Sequence, residues 1–314
     1  LLQRGNMLSE KPFEFPTYLE DLYRDLPRRP MAVAGAGHPM AMESARRAAD
    51  AGLIEPVLVG DVGDIRIIAK DMDWDISAYR LVPVDDEAAA CEAAVALAGR
   101  KEVAALMKGH VHSDAIMRAA LNRNSGLRTE RRASHVFHMT VPGHNRVLFI
   151  TDGALNVAPD AGTKLDIVSN AVGLAHALGN PEPRVAILSG TESEIESMPS
   201  SVDAAEVVRR ANNGAITGAL VDGPFAFDNA VSPQAADLKD IDSPVAGAAD
   251  ILVVPNIEMG NGLFKMMVYF MSGLAAGVVM GTRVPIVLTS RADPPEARFA
   301  ATAIATIAGP PMTV

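Results

Sequence analysis

The sequence predicts an α/β protein of two domains, α/β/α in layering with largely parallel sheets, and three observations carry that prediction. Short apolar runs of strand length alternate with helical patterns along most of the chain, as in strands joined by crossover helices. Nearly half of the residues are apolar, alanine is abundant and aromatics are scarce, which suits helices packed closely on a sheet. Several apolar runs break abruptly into polar residues, most sharply after 250–255 and after 285–288. In an open parallel sheet such a break is the carboxyl end of a strand, where ligands bind. At 314 residues the chain is long for one domain and ample for two.

Taken in order, residues 15–26 read as an amphipathic helix, 31–35 as a short buried strand and 39–52 as a helix ended by Gly52. A strand follows at 56–60, then a short helix through Lys70 that Asp64 can cap. The run 81–84 is a weaker strand, placed near an edge by Pro83. Residues 85–100 form a strong helix with acidic residues in its first turn, 103–107 a strand and 113–122 a helix. Two extended runs, 134–141 and 146–151, flank a Pro142-Gly143-His144-Asn145 turn and predict a hairpin. Alternation then resumes: helix 164–178, strand 185–188, helix 202–211, strand 219–221, helix 230–238, the two strands named above and a last helix over 295–307. The hairpin is the expected domain boundary, with 1–150 in the first domain and 151–283 in the second.

The bulk numbers narrow the function. A net charge of −10 with no basic stretch argues against nucleic-acid binding, while leaving room for an anion held by a few arginines in a cleft. The single cysteine, Cys91, excludes an internal disulfide; in its alanine-rich helix it reads as a small buried apolar residue, and it fits a reducing cytoplasm. The uncharged run 266–282 falls short of a membrane span, and Gly273, Gly277 and Gly281 read better as a helix, a turn and a buried strand. No secretory signal opens the chain; it begins with Leu1, so either Met7 is a start or a longer polypeptide was cut.

Several strand ends carry chemistry. Gly35-Ala36-Gly37 starts like a dinucleotide loop, but Met40 stands where the third glycine belongs, which favours a plain tight turn. His110 and His112 lack a third ligand at metal spacing, so no metal is expected. The turn they share opens a helix, where free N–H groups, with Ser113 and Asp114 as capping candidates, suit an anion; Arg118 lies one turn on, and is either a ligand or a solvated surface charge. Thr151-Asp152-Gly153, Ser189-Gly190-Thr191 and Asp222-Gly223-Pro224 with Asp228 repeat the theme, although each alone is ordinary turn chemistry. The break after 250–255 offers Asn256, Glu258, Gly260, Asn261 and Lys265. The second offers Thr289, Ser290, Arg291 and Asp293; Ser290-Arg291 sets a hydroxyl beside a planar fork of donors that suits phosphate, and the bland alternative is a turn residue beside a surface charge.

The stretches 243–247 (SPVAG), 249–265 (ADILVVPNIEMGNGLFK) and 285–291 (PIVLTSR) together resemble the phosphate acetyl/butyryltransferase family, and the His112-Ser113 turn with Arg118, Thr151-Asp152-Gly153 and Asp222-Gly223-Pro224 with Asp228 match in order. The resemblance runs from about residue 30 to the end. It implies reversible transfer of an acyl group, butyryl or acetyl, between coenzyme A and inorganic phosphate, with coenzyme A a substrate and no tightly bound cofactor. It also implies a homodimer with a fold similar to the isocitrate/isopropylmalate dehydrogenases, its site in the interdomain cleft, and residues 284–314 returning to the first domain; with the single cysteine, the expected location is cytoplasmic. Ser290 would interact with the reacting thiol or carbonyl, and Arg291 would hold phosphate and polarise the acyl group. Arg118, His112, Ser113, Asn256, Gly260, Asn261, Lys265 and Asp222 would bind substrate.

A coenzyme A thiol, with a pKa of about 8.5, is a weak nucleophile at neutral pH, so a base or a hydrogen-bonding serine helps it. The family's acetyl-specific branch places an aspartate seven residues after the serine; here that position is Ala297, and Glu296 or Asp293 becomes the candidate base. The substitution, with the wording of Ser290–Asp293 and of 222–225, looks closer to the butyryl branch. Two competitors remain open: a non-catalytic coenzyme A or acyl-phosphate sensor, and an NAD(P)-dependent dehydrogenase of the same fold, which would need an aspartate cluster and a complete nucleotide loop.

Overall fold

A computed structural model describes residues 9, 11–290 and 292–312; Arg291 and Met7 therefore lie outside the described residues. The chain divides into two compact units. One holds Phe15–Arg131 and Ala276–Val314, the other Arg132–Ala275 with the described residues up to Glu14. The sequence pattern puts the divisions at 150 and 283 instead; the structure keeps the whole hairpin in the second unit, because its second strand pairs with a later strand there.

In the first unit the order is α1 (Tyr18–Tyr23), β1 (Arg29–Ala34), α2 (Pro39–Asp50), β2 (Ile54–Gly60), α3 (Val62–Asp71), β3 (Arg80–Pro83), α4 (Glu87–Gly99), β4 (Ala105–Lys108) and α5 (Ser113–Ala120). The second unit follows with β5 (Ser134–Thr140), β6 (Leu148–Thr151), α6 (Ala161–Ala177), β7 (Arg184–Leu188), α7 (Pro199–Arg210), β8 (Leu220–Phe225), α8 (Phe227–Val231), α9 (Pro233–Asp237), β9 (Ile251–Val253) and α10 (Ile257–Met271). After α10, β10 (Leu274–Met280) leads back, and β11 (Ile286–Val287) and α11 (Pro295–Ala308) complete the first unit.

The first unit's strands run β3-β2-β1-β4-β11-β10, parallel except for the β10–β11 pair. β1, β2 and β4 are almost wholly buried, as strands covered on both faces must be, so their apolar runs show no alternation. Alanines let the covering helices approach closely: Ala90, Ala94 and Ala98 of α4 and Ala300, Ala301 and Ala305 of α11 are all buried. The second unit's strands run β5-β6-β9-β7-β8, with only the β5–β6 hairpin antiparallel. Its core gathers Phe137, Ile150, Leu188, Phe225 and Leu252, and Phe264 of α10 stacks on Phe137 with ring centroids 3.9 Å apart.

Local caps set where helices begin. Asp86 and Asp160 accept backbone N–H bonds at the starts of α4 and α6. Two capping expectations change. Asp61, not Asp64, caps α3, with Asp64 supplying the N–H that it receives. At α5 the capping position is His112, whose side chain makes no capping bond, and Ser113 is already helical. Cys91 is buried, as its helix predicts.

Candidate functional site

In the first unit β1, β4 and β11 are parallel neighbours, so their carboxyl ends emerge on one edge. The β4 register sets Val287 beside Met107, which brings the segment after β11 against the end of β4. The two strand ends at β1 and β4 approach so closely that a Cβ on Gly109 would lie 2.6 Å from the Ala34 carbonyl oxygen; only glycine fits. Gly35-Ala36-Gly37 forms a tight turn whose following residue, His38, accepts the Met40 N–H through Nδ1, so the histidine itself caps α2. Its ring stacks on His110, centroids 3.9 Å apart.

Ser290 begins a turn closed by its own neighbours. The Ser290 N–H donates to Asp293 Oδ2 at 2.6 Å, Asp293 N–H donates to the Ser290 carbonyl at 3.1 Å, and Ala292 N–H donates to Ser290 Oγ at 3.3 Å. The last of these uses Ser290 Oγ as an acceptor and leaves the hydroxyl proton to donate elsewhere. Burial pushes the Asp293 carboxyl above its ordinary range, opposed by the Ser290 N–H bond and by the charges of Arg298 and Lys108. Arg298 braces the turn from α11: its guanidinium donates to the Asp293 carbonyl at 2.6 Å and to Ser44 Oγ at 3.0 Å, and lies 3.5 Å from Glu43. Below the turn is a cavity of about 10 Å³, lined among others by Ser44, Lys108, Thr289, Ser290, Arg298 and Thr302.

Glu296 sits in the first turn of α11, 3.5 Å from Arg47. Ala297 is buried, so a carboxylate at that position would be stripped of water. Of the two acidic candidates, Asp293 is the one whose carboxylate touches the Ser290 backbone. The candidates at the start of α5 and on its outer face lie at the surface, whereas Ile116, Met117 and Ala120 of the same helix are buried. His112 Nδ1 pairs with Glu87 at 2.9 Å, and Arg118 forms an exposed i,i+4 pair with Asp114 at 2.9 Å. Ser113 occupies the first position of that helix.

The second unit organises a different group around Asp152. Its buried carboxylate accepts from the N–H groups of Ala154 and Leu155, both at 2.9 Å, and from Asn156 Nδ2 at 2.7 Å. Asn256 caps α10, its side chain accepting the Met259 N–H at 3.0 Å. Asn261 Nδ2 donates to the Gly153 carbonyl at 3.4 Å, and Gly260 lies against Gly153, so α10 is seated on the Asp152 turn by residues the sequence singles out. Lys265 extends over the Phe264 ring at 5.9 Å. Asp222 lies inside β8, not after it, and accepts the Gly223 N–H at 2.8 Å. No group of metal-ligating side chains is assembled among the described residues.

Sequence reasoning passes over Lys108, Ser44 and Arg298. Lys108 leaves one usable trace, a lysine closing a buried apolar run directly before a glycine. Ser44 and Arg298 leave none, since each lies in a helix and reaches the Ser290 turn only through folding.

The profile of the phosphate acetyl/butaryl transferase family matches residues 84–306, which include the Ser290 turn, the α5 turn and the α10 seat. A phosphate acetyltransferase of Rhizobium meliloti is 47% identical over 281 residues, covering 88% of this chain and 88% of the relative. A phosphate butyryltransferase of Clostridium beijerinckii is 39% identical over 284 residues, covering 90% of this chain and 94% of the relative. A crystal structure of a branched-chain phosphotransacylase from Enterococcus faecalis V583 aligns with a TM-score of 0.75 at 30% identity, covering 89% of this chain and 99% of that one. The fold extends to a 4-hydroxythreonine-4-phosphate dehydrogenase from Burkholderia phymatum, with a TM-score of 0.53 at 13% identity over 90% of this chain and 98% of that one. A likeness in fold to a dehydrogenase, of the kind the family resemblance implies, is therefore present. From the match over 84–306 and the identities across nearly nine-tenths of its length, the chain belongs to the phosphate acetyl/butyryltransferase family.

Proposed function

We propose that the protein is a phosphate acyltransferase, catalysing acyl-CoA + phosphate ⇌ acyl phosphate + CoA with a butyryl or acetyl group. The observation that carries this is the Ser290 turn, set at the shared carboxyl edge of β4 and β11 inside the family-matched region. In the synthetic direction a phosphate oxygen attacks the thioester carbonyl, the C–S bond breaks and the thiolate leaves to take up a proton. Negative charge develops on the carbonyl oxygen and on sulfur, and the Ser290 hydroxyl is the donor that stabilises it. Arg291 is assigned to phosphate and Arg118, His112, Ser113, Asn256, Gly260, Asn261, Lys265 and Asp222 to the substrate pocket on the strength of their places in the family motifs. Glu296 pairs with Arg47 and Asp293 sits against Ser290, which favours Asp293 over Glu296 as the carboxylate of the centre.

No described helix is long and apolar enough to cross a membrane. We assign the protein to the cytoplasm, in keeping with its one buried cysteine, and read it as a homodimer. The test is CoA release from butyryl-CoA and from acetyl-CoA with and without phosphate. Release should require phosphate, and Ser290→Ala should slow it by about 10²–10³-fold, the usual effect of removing one donor to a developing oxyanion. Phosphate-independent release, or none from either thioester, would sink the assignment.

A further inference from the structure

Helix α10 is apolar on more sides than its own chain covers. Of its 15 residues only Gly260 is fully buried. One side is accounted for: Leu263, Phe264, Met267 and Val268 pack against the core of the second unit, and Gly260 and Asn261 meet the Asp152–Gly153 turn. The opposite side is not. Met266 is 54% exposed, Tyr269 43%, Phe270 54% and Met271, at the helix end, 42%. The i, i+3, i+4 spacing of Met266, Tyr269 and Phe270 makes them one face. A helix that is apolar all round belongs in an interior, so this face calls for a partner.

Size and composition say what kind of partner. An aromatic side chain has about 150–250 Å² to bury, and at these exposures the four residues together present roughly 400 Å². That matches the largest apolar patch of a typical monomer, about 300–600 Å², which is often functional. It is about half of what one partner contributes to a stable complex, about 800 Å², and so suits the dry centre of an interface completed by a polar rim. Such centres are enriched in methionine and aromatics and depleted in charge. The chain has only four tyrosines and nine phenylalanines, yet one of each stands here side by side in the open, and no charged residue occurs between Lys265 and Arg283. At a net charge of −10, two copies of the chain repel wherever acidic surfaces meet; an uncharged face lets them touch without that penalty.

We propose that this face of α10 is the contact between two copies of the chain, α10 packing on α10 about a two-fold axis. The proposal rests on the homodimer reading above and names the surface that makes it. In a two-fold contact the same residues serve both copies, and a patch without charge pairs with itself without setting like charges together. The competing occupant is the chain ahead of Ser9. Ser9 N–H donates to the Tyr269 carbonyl at 3.2 Å and Ser272 Oγ to the Lys11 carbonyl at 2.7 Å, which ties that stretch to the end of the helix. Those bonds leave the side chains of Met266, Tyr269 and Phe270 exposed. Pairing would also brace, from its outer side, the helix whose first turns carry Asn256 and Asn261.

Sedimentation velocity on the full chain, from about 0.1 to 100 µM, tests this. Wild type should be a dimer at about 1 µM. Met266→Lys combined with Phe270→Lys should be monomeric there, its affinity lowered by about 100-fold or more, as for two anchors lost from the centre of an interface. The lysines reduce the net negative charge, so repulsion between whole chains cannot explain the loss. Ile67→Lys, at a comparably exposed apolar position on α3, should leave the dimer intact, and an equal loss there would count against α10. A dimer kept by the double variant overturns the α10 contact and leaves the homodimer reading standing. A monomeric wild type overturns both and gives the face to the chain ahead of Ser9. Should the double variant fail to fold, Phe270→Cys treated with a bismaleimide should give cross-linked pairs of chains, since buried Cys91 does not compete; no more cross-linking than in wild type overturns the contact.

Discussion

Replacing Gly260 with alanine sets helix propensity against packing, and the structure decides the sign. In the interior of α10, alanine in place of glycine favours the helix by about 1 kcal/mol. At Gly260 the added Cβ would lie 2.8 Å from Gly153 Cα, 2.9 Å from the Asp152 carbonyl oxygen and 3.0 Å from Val254 Cγ2. Two of the three are backbone atoms of the turn that Asp152 holds with its own hydrogen bonds, so they cannot swing aside as a flexible side chain would. Overpacking of this kind costs about 1–3 kcal/mol, and two backbone contacts place it toward the upper end. Gly262 stands two residues on in the same helix with nothing within 4 Å of its added Cβ. Gly262→Ala should therefore stabilise by about 1 kcal/mol and Gly260→Ala destabilise by ~1–2 kcal/mol net. Because the helix gain is common to both, the difference between the two variants isolates the clash at about 2–3 kcal/mol. Thermal unfolding followed by circular dichroism reads it, at roughly 2–4 °C per kcal/mol for a chain region of this size. Equal shifts in the two variants would refute the close approach of α10 to the Asp152–Gly153 turn. Gly260→Ala should also lower CoA release, since Asn256 and Asn261 ride on the same helix.

Two further outcomes follow from the ionisable groups. Burial and the neighbouring acids Glu87, Glu92 and Asp114 push the Cys91 thiol up to about 11, so native protein should not react with a thiol-specific dye at pH 8, and should gain one reactive thiol on unfolding; fast native reaction would contradict its burial. The same silence makes the dye a clean reporter of released CoA. Asp293 has a folded pKa raised above its unfolded value, so its stabilising contribution is complete below the ordinary carboxylate range and lost as pH rises through the folded value. Asp293→Asn, which cannot ionise, should therefore gain in melting temperature relative to wild type as pH goes from 4 to 7. A wild type that gains on the variant over that range would show that the Ser290 N–H and the nearby cations outweigh desolvation.

The sequence by itself determined the α/β class, the alternation of elements and the strand ends that carry chemistry, because each of these is written in local periodicity and in turn residues. Strands buried on both faces leave unbroken apolar runs, and the runs ending before Gly109, Asn256 and Thr289 are legible for that reason. The block 243–291 was specific enough to suggest the family that the wider comparison established. Caps one turn apart were harder. Asp61 and Asp64 are chemically equal candidates, and only the backbone conformation says which one accepts. The end of β8 was misplaced for a similar reason: Gly223 and Pro224 read as a turn, yet Leu188 pairs with Phe225 beyond them across a register shift.

What surrounds Ser290 was decided by tertiary structure alone. Ser44, Lys108 and Arg298 are far apart in sequence, and nothing local distinguishes a serine or an arginine in a helix from its surface counterparts. Their meeting depends on β4 lying between β1 and β11, an order set by pairing of distant strands and therefore by the fold as a whole. The same holds for the choice between Asp293 and Glu296. Both follow Ser290 within one turn or two of chain, but the bend before α11 carries Asp293 back to the Ser290 N–H and leaves Glu296 to Arg47 on α2.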